Sequence, residues 1–336
     1  MDKKVSVVVP CRNESKNIQK CIDSILNSDY PQIEVIVVDG MSTDGTREIL
    51  AQNMREHKNF KFIDNPHQLT PYAFNLGIKN SDGFYVQIVG SRNILDRDYI
   101  SKLVAVLESH SEIACVGGNY QHRYESDLAK YISWAMESKF GVGASNYRTM
   151  KESCCVDTVG IPLYRRAIFD ELGFFDERLT RNQDDDFNFR VTKAGHKIWY
   201  EASANTQYYV RSSFSKLFKQ MSQYGYFKVF VNKKHKTFTT LRQLVPISFL
   251  IYLVIFPIVS FFIPLLWFVY FGVLFIYGAL GFLSALSFTA KFMEIIKVQY
   301  AILVMHIGYG WGYLKGIWDF ILLGRNPANS MQQQTT

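Results

Sequence analysis

The feature that most constrains this chain is a stretch without charge. Residues 243–290 run for 48 positions with no Asp, Glu, Lys, Arg or His. A helix needs about 20 apolar residues to cross a bilayer, so the stretch is long enough for two. Pro264 divides it into candidate spans at 247–263 and 265–287, and Pro257 predicts a kink or tilt in the first. A third apolar segment, 298–323, carries His306, Lys315 and Asp319. It is expected to span as well, packed on the other helices, or to lie flat. A wholly soluble protein does not fit this pattern.

Basic charge crowds against the apolar stretch. The chain has 37 Lys and Arg against 30 Asp and Glu, a net charge of +7. Residues 211–242 hold eight of the basic residues and no acid, which leaves 29 against 30 elsewhere. Basic residues beside an apolar run meet anionic headgroups, so membrane lipids are expected partners. Nucleic acid is not, because no basic stripe or RNA-binding signature occurs elsewhere. Phe214, Leu217, Phe218, Met221 and Tyr224 fall at helical spacing, with Lys216 and Lys219 off that face. That pattern predicts an amphipathic helix in the membrane interface; a soluble helix packed on a sheet has the same pattern. The cysteines, Cys11, Cys21, Cys115, Cys154 and Cys155, form no CxxC pair and read as reduced cytoplasmic thiols. MDKK leads directly into VSVVVP, with no signal peptide.

The first half alternates strands and helices. Residues 5–9 are a β-branched run ended by Pro10, and 14–26 has helical spacing with Ile18, Cys21, Ile22 and Ile25 on one face. Further strands are predicted at 35–38, 60–63 and 84–89, and helices at 46–54, 71–79 and 98–109. Apolar strands separated by helices predict a mainly parallel sheet covered on both faces. Such sheets bind ligands beyond the carboxyl ends of their strands. Residues 10–14, 39–44 and 90–93 all fall there.

Three segments then occur in order: SVVVPCRNES, VVDGMSTDGT and GFFDERLTRNQDDDFNFRVTKAG. Together they resemble the family 2 glycosyltransferases, and within them the membrane-anchored subgroup that includes succinoglycan-type exopolysaccharide transferases. The resemblance covers roughly residues 5–228. It implies that Pro10, Asn13 and Glu14 belong to a first-strand substrate motif, with helix capping as the other reading of Glu14. Arg12 stands where the family often has an aromatic residue, and a guanidinium plane also stacks on a base. Asp39 stands at the family's nucleotide-contacting Asp, while Gly40 replaces a second Asp. Asp44 matches a later Asp, as a ribose ligand or as a turn and helix cap.

The main departure is at residues 90–92. The family ends that strand with Asp-x-Asp, which holds Mg²⁺ or Mn²⁺ against the donor diphosphate. Gly90, Ser91 and Arg92 stand there instead, so the cofactor is left open and no metal ligand is assigned. Asp96 and Asp98 have the spacing but read as the cap of the next helix. Arg92 is the candidate to fork onto the diphosphate without a metal. In RNQDDDFNFR the resemblance makes Asp184 the general base for an acceptor hydroxyl. Gln183 and Asp185 flank it in the substrate site, and three adjacent carboxylates are expected to raise one another's pKa. Arg190 reads as structural and His196 as a turn residue. Gln220 and Tyr224 are further candidates for donor or acceptor contact.

The expected architecture is an α/β GT-A nucleotide-sugar domain at 1–210, a basic amphipathic interface segment at 211–242, a membrane domain at 243–324 and a flexible tail at 325–336. The expected activity is inverting transfer of one sugar from a nucleotide-sugar, a UDP-sugar by preference, to a polyprenyl-linked glycan. That places the chain in cell-surface or exopolysaccharide biosynthesis, as a multi-pass protein of the cell membrane with its catalytic domain cytoplasmic. The alternative is a catalytically inactive GT-A-like scaffold or nucleotide-sugar-binding protein that has lost the metal site. A membrane transport component would need paired charges within its spans, and the first two spans have none.

Overall fold

The computed structural model describes residues 2–143, 149–210 and 213–327. Arg211 and most of the expected tail, from 328 onward, lie outside the described residues. In chain order the elements are β1 (Val5–Cys11), α1 (Ile18–Leu26), β2 (Ile33–Asp39), α2 (Thr46–Glu56), β3 (Phe60–Asp64), α3 (Thr70–Lys79) and β4 (Tyr85–Ile88). Then come β5 (Asn93–Leu95), α4 (Tyr99–Ser109), β6 (Ile113–Arg123), α5 (Asp127–Glu137), α6 (Lys139–Val142), β7 (Cys154–Cys155), β8 (Gly160–Arg165), α7 (Ala167–Leu172) and α8 (Gln183–Lys193). The last are β9 (Lys197–Tyr209), α9 (Phe214–His235), α10 (Leu244–Phe262), α11 (Leu266–Leu286) and α12 (Phe292–Gly316). They fall into two compact units: one built from residues up to 122 and 150–209, the other from 123–149 and the chain after 209. The sequence division placed 123–149 with the first unit; its helices α5 and α6 fold with the second.

The first unit is built on a 9-stranded sheet in the order β3-β2-β1-β4-β8-β6-β9-β5, with β7 paired to β9. Strand β1 is central because both its faces are apolar: Val5, Val7, Val8 and Val9 are fully buried. It runs parallel to β2 and to β4, and β2 runs parallel to β3. Beyond β4 the sheet changes character: β8 is antiparallel to both β4 and β6, and β5 to β9. The expected parallel sheet is therefore the first half of a mixed one. The antiparallel strands escaped notice because their sequences mix Gly, polar and aromatic residues instead of forming continuous apolar runs.

Helix α1 starts at Ile18, four residues later than its apolar periodicity predicts. The intervening residues make a loop with Asn13 in the left-handed region at φ 54°. That loop is stitched to the one following β2. Asn13 N donates to Ser42 Oγ at 2.8 Å and Thr43 N to Asn13 Oδ1 at 2.9 Å. Glu14 N donates to Thr46 Oγ1 at 2.9 Å and Ser15 N to Asp44 Oδ2 at 3.1 Å. Asp44 Oδ1 also accepts from Thr46 N at 3.2 Å and Thr46 Oγ1 at 2.5 Å. What little burial Asp44 has opposes its ionisation, but the bonds from Thr46 and Ser15 outweigh it and hold the carboxyl at about 2, below the ordinary 3.8.

The second unit is helical. Helices α9 and α12 pack along a glycine seam. A Cβ at Gly312 would stand 1.9 Å from Ser222 O, one at Gly225 2.1 Å from Tyr309 O, and one at Gly316 2.7 Å from Tyr226 O. Backbones approach this closely only where side chains are missing. On α9 the residues from Gly225 to Asn232 are all buried. The expected interface helix at 214–224 is thus the first half of a longer helix bound to α12. The third apolar segment, as α12, packs on α9. Its polar residues are satisfied there: Asp319 accepts from Tyr226 Oη at 2.9 Å and Arg325 Nη1 at 2.8 Å. His306 Nδ1 lies 2.9 Å from Tyr277 Oη. By contrast α10, with the turn before it, and α11 are 22 and 21 residues long and apolar, with 11% and 6% of their spans buried. Among the described residues these are the two helices long and apolar enough to cross a membrane.

Two outcomes are expected. Gly312→Leu forces the seam apart and should cost about 2 kcal/mol or more, seen as a lower Tm in detergent. Gly278→Leu on α11, with nothing within 4 Å of its Cβ position, leaves Tm unchanged; equal effects would disprove the seam. For Asp44, the folded value lies below the unfolded one, so its stabilisation is complete above 3.8 and is lost as pH falls toward about 2. Asp44→Asn therefore lowers stability at pH 7, and the gap to the parent protein narrows in acid denaturation; a gap independent of pH would contradict the carboxylate's role.

Candidate active site

Asp39 ends β2 beside Cys11 of β1, its register partner. Its side chain is fully buried. Oδ1 accepts from Ser42 Oγ at 2.5 Å, with Cys11 Sγ at 3.7 Å. Oδ2 accepts from Ser42 N at 3.1 Å and Arg47 Nη1 at 2.7 Å. Arg47 also reaches Asp64 at the end of β3, at 2.8 Å. The sequence reading missed Ser42 and Arg47. Neither lies at a telling spacing; they meet Asp39 because the loop after β2 folds back. Burial and the Asp39 carboxylate push the Cys11 thiol well up, consistent with an inert reduced thiol. Pro10 precedes Cys11 in β1, and half-buried Arg12 follows it, with its stem against Gly40.

Glu14 and Arg92 come together. Arg92 Nε donates to Glu14 Oε1 at 2.7 Å and Oε2 at 3.0 Å. Glu14 also accepts from Asn17 Nδ2 at 2.8 Å, so it is a partner of Arg92 as well as a loop residue. This pairing leaves the two terminal nitrogens of Arg92 outward on a side chain that is 49% exposed. At Gly90 the missing Cβ makes room for the Asn93 side chain, 2.7 Å from its position. Asp98 stands at the start of α4 and pairs with Lys102 at 2.7 Å. Among the described residues no three of His, Cys, Asp and Glu are grouped to share an ion. At the end of β4 itself, Gly90, Ser91 and Arg92 offer no carboxylate.

Helix α8 opens with Gln183 and the three aspartates, after Asn182 at φ 60°. The residues C-terminal to the aspartates hold the helix in place. Phe187 stacks on Phe169 at 4.9 Å and meets Phe175 at 4.8 Å. Asn188 accepts from Tyr164 Oη at 3.0 Å and donates to Thr158 at 2.9 Å. Arg190 donates to the carbonyls of Leu172 and Phe174 at 2.6 and 2.7 Å, and lies 3.3 Å from Asp186. On a helix successive side chains point about 100° apart, and the three aspartates differ in burial. Asp186 turns inward to Arg190, Asp185 is half-buried and Asp184 is exposed. Gln183 is buried, with Oε1 lacking a hydrogen-bond partner. Asp184 acts electrostatically on buried Tyr164, whose partner on β4 is Val86, two residues from that strand's end. Gln220 and Tyr224 belong to the second unit, where Gln220 Nε2 donates to Tyr224 Oη at 3.2 Å.

Comparison with known proteins agrees with this geometry. The profile described as glycosyl transferase family 2 matches residues 6–173. The succinoglycan biosynthesis protein ExoA of Rhizobium meliloti is 30% identical over 72% of this chain and 74% of its own. A dolichyl N-acetyl-α-D-glucosaminyl phosphate 3-β-D-2,3-diacetamido-2,3-dideoxy-β-D-glucuronosyltransferase of Methanococcus voltae is 28% identical over 93% of this chain and 97% of its own. A mannosyltransferase of Pyrobaculum calidifontis, solved with GDP-Man and Mn²⁺, shares the fold at a TM-score of 0.53 and 16% identity, covering 95% of this chain and 74% of that one. The mixed α/β sheet is that of the GT-A fold, and the chain belongs to glycosyl transferase family 2.

Proposed function

We propose that this glycosyltransferase moves one sugar, with inversion, from a nucleotide-sugar to a lipid-linked glycan at a membrane. The observation that carries the reading is Asp184: an exposed carboxylate on the first turn of a rigidly held helix, in the unit whose strand ends gather Arg12, Asp39 and Arg92. In the reaction the acceptor hydroxyl oxygen bonds to C1 of the donor sugar as the bond from C1 to the diphosphate oxygen breaks. Asp184 takes the hydroxyl proton and the nucleoside diphosphate leaves with the electron pair. The terminal nitrogens of Arg92 meet the charge that develops on the leaving diphosphate. Gln183 keeps the size of the family's Glu without its charge, so Asp184 has no anionic neighbour on that side.

The acceptor class rests on the two apolar helices and on the relatives in succinoglycan and dolichyl-phosphate glycan synthesis. Carrying the spans on the same chain confines the enzyme to the surface that holds a lipid-linked acceptor and raises their effective concentration. Two spans make too small a bundle for a polysaccharide channel, which favours single addition over processive synthesis. A polyprenyl carrier, a UDP-sugar donor and a cytoplasmic catalytic unit complete the proposal.

Asp184→Asn is expected to leave donor binding intact and to lower turnover by about 10²-fold or more, measured with radiolabelled nucleotide-sugars and membrane lipid extract. Near-parental turnover would move the base to Asp185. In the same assay activity should survive EDTA, Arg92→Ala should abolish it and Arg92→Lys should restore only part, because an ammonium does not fork onto two oxygens. Loss in EDTA with rescue by Mn²⁺ would overturn the role given to Arg92.

A further inference from the structure

Arg12 differs from the other arginines at the strand ends. Arg47 is held by Asp39 and Asp64, and Arg92 by Glu14. Among the described residues Arg12 has no hydrogen-bonding partner, and its Nε is buried without one. A buried donor left unpaired costs about 1–3 kcal/mol, which an arriving acceptor would recover. The stem of Arg12 lies on Gly40, where a Cβ would stand 3.2 Å from both its Cβ and its Cδ. A side chain at position 40 and this placement of Arg12 crowd one another. The carboxylate the family has at 40 is gone, and the aliphatic stem of Arg12 lies against its place.

Asp39, one residue away, is not available to a ligand. A carboxylate has about four acceptor positions. Those of Asp39 go to Ser42 Oγ, Ser42 N, Arg47 and Cys11, and its surface is fully buried. No lone pair is left for the N–H of a base.

Resting on the nucleotide-sugar reading above, we propose that Arg12, in the space left by Gly40, selects the donor's base by donating to a ring carbonyl, and that Asp39 is a framework carboxylate. A guanidinium has donors only. It suits uracil or guanine, which present an oxygen at the position where cytosine and adenine carry an amino group. Facing that amino group, a guanidinium N–H finds no acceptor.

The test is calorimetric binding of UDP, CDP, GDP and ADP to the full chain in detergent. For the ring size the site admits, UDP should bind more tightly than CDP, or GDP than ADP, by about 10-fold or more. Arg12→Met, which removes no internal contact, should reduce that preference to about 3-fold or less while retaining the weaker nucleotide's affinity. A preference that survives Arg12→Met, or parental binding with no preference, would overturn the inference. Equal weakening of all four nucleotides would also overturn it, because it would put Arg12 on the phosphates. If none of the four binds, the donor reading itself fails, and that result is distinct from a loss of base preference.

Discussion

A buried carboxylate organises the working edge of the sheet. Asp39 stands where three parallel strands end, and a charge there is tolerated only with full pairing. Ser42 and Arg47 supply it, and Arg47 carries the link to Asp64 on β3. Because Ser42 also accepts from Asn13 N, the pairing reaches the loop after β1. The loop hydrogen bonds through Asp44 and Thr46 close the same circuit. Arg12 and Glu14 are held on that stitched loop, so the substrate-facing groups inherit their positions from a residue that is itself hidden.

The second unit solves a different problem. Its two apolar helices leave most of their surface uncovered, which water does not favour at this length. Yet α9 and α12 bury one another by backbone contact, through glycines that neither a water-soluble amphipathic pattern nor a simple spanning pattern requires. In a bilayer the hydrophobic effect does not drive helices together, and close approach through small residues does. A tight pair beside two helices long and apolar enough to cross a membrane is a coherent arrangement for a unit that is part anchor and part platform. The residues Arg123–Thr149, which leave the sheet after β6, join this unit through Lys130 and Glu294, 3.3 Å apart.

The sequence made the parallel half of the sheet legible because its strands are buried on both faces and read as continuous apolar runs. The motif order pointed to the family and to the strand ends. Partnerships were not legible. Nothing local in the sequence says that Arg92 meets Glu14, 78 residues away, or that Arg47 covers Asp39. The pairing of α9 with α12 was hidden in the same way: a helix packed on another helix and a helix on a membrane share one periodicity, and Gly225, Gly312 and Gly316 mark the close approach. The run of three aspartates was read as one electrostatic unit, whereas helical geometry gives each a separate environment.

The departures from the family pattern form a set. Carboxylates are missing at Gly40, Gly90, Arg92 and Gln183, and guanidiniums stand at Arg12 and Arg92. Decay of an unused site would leave these changes uncorrelated. Instead each strand-end change meets a complement. Gly40 gives room to the stem of Arg12, Gly90 gives room to Asn93, and Glu14 fixes Arg92 by its Nε while leaving its terminal nitrogens outward. The net effect removes negative charge from the strand ends and adds positive charge there. Guanidiniums fixed at strand ends are suited to neutralising a diphosphate, because they fork onto its oxygens. Asp184, outside that exchange, remains the exposed carboxylate beside the site. Changes that are matched by their neighbours in this way fit a site still in use better than one left to decay.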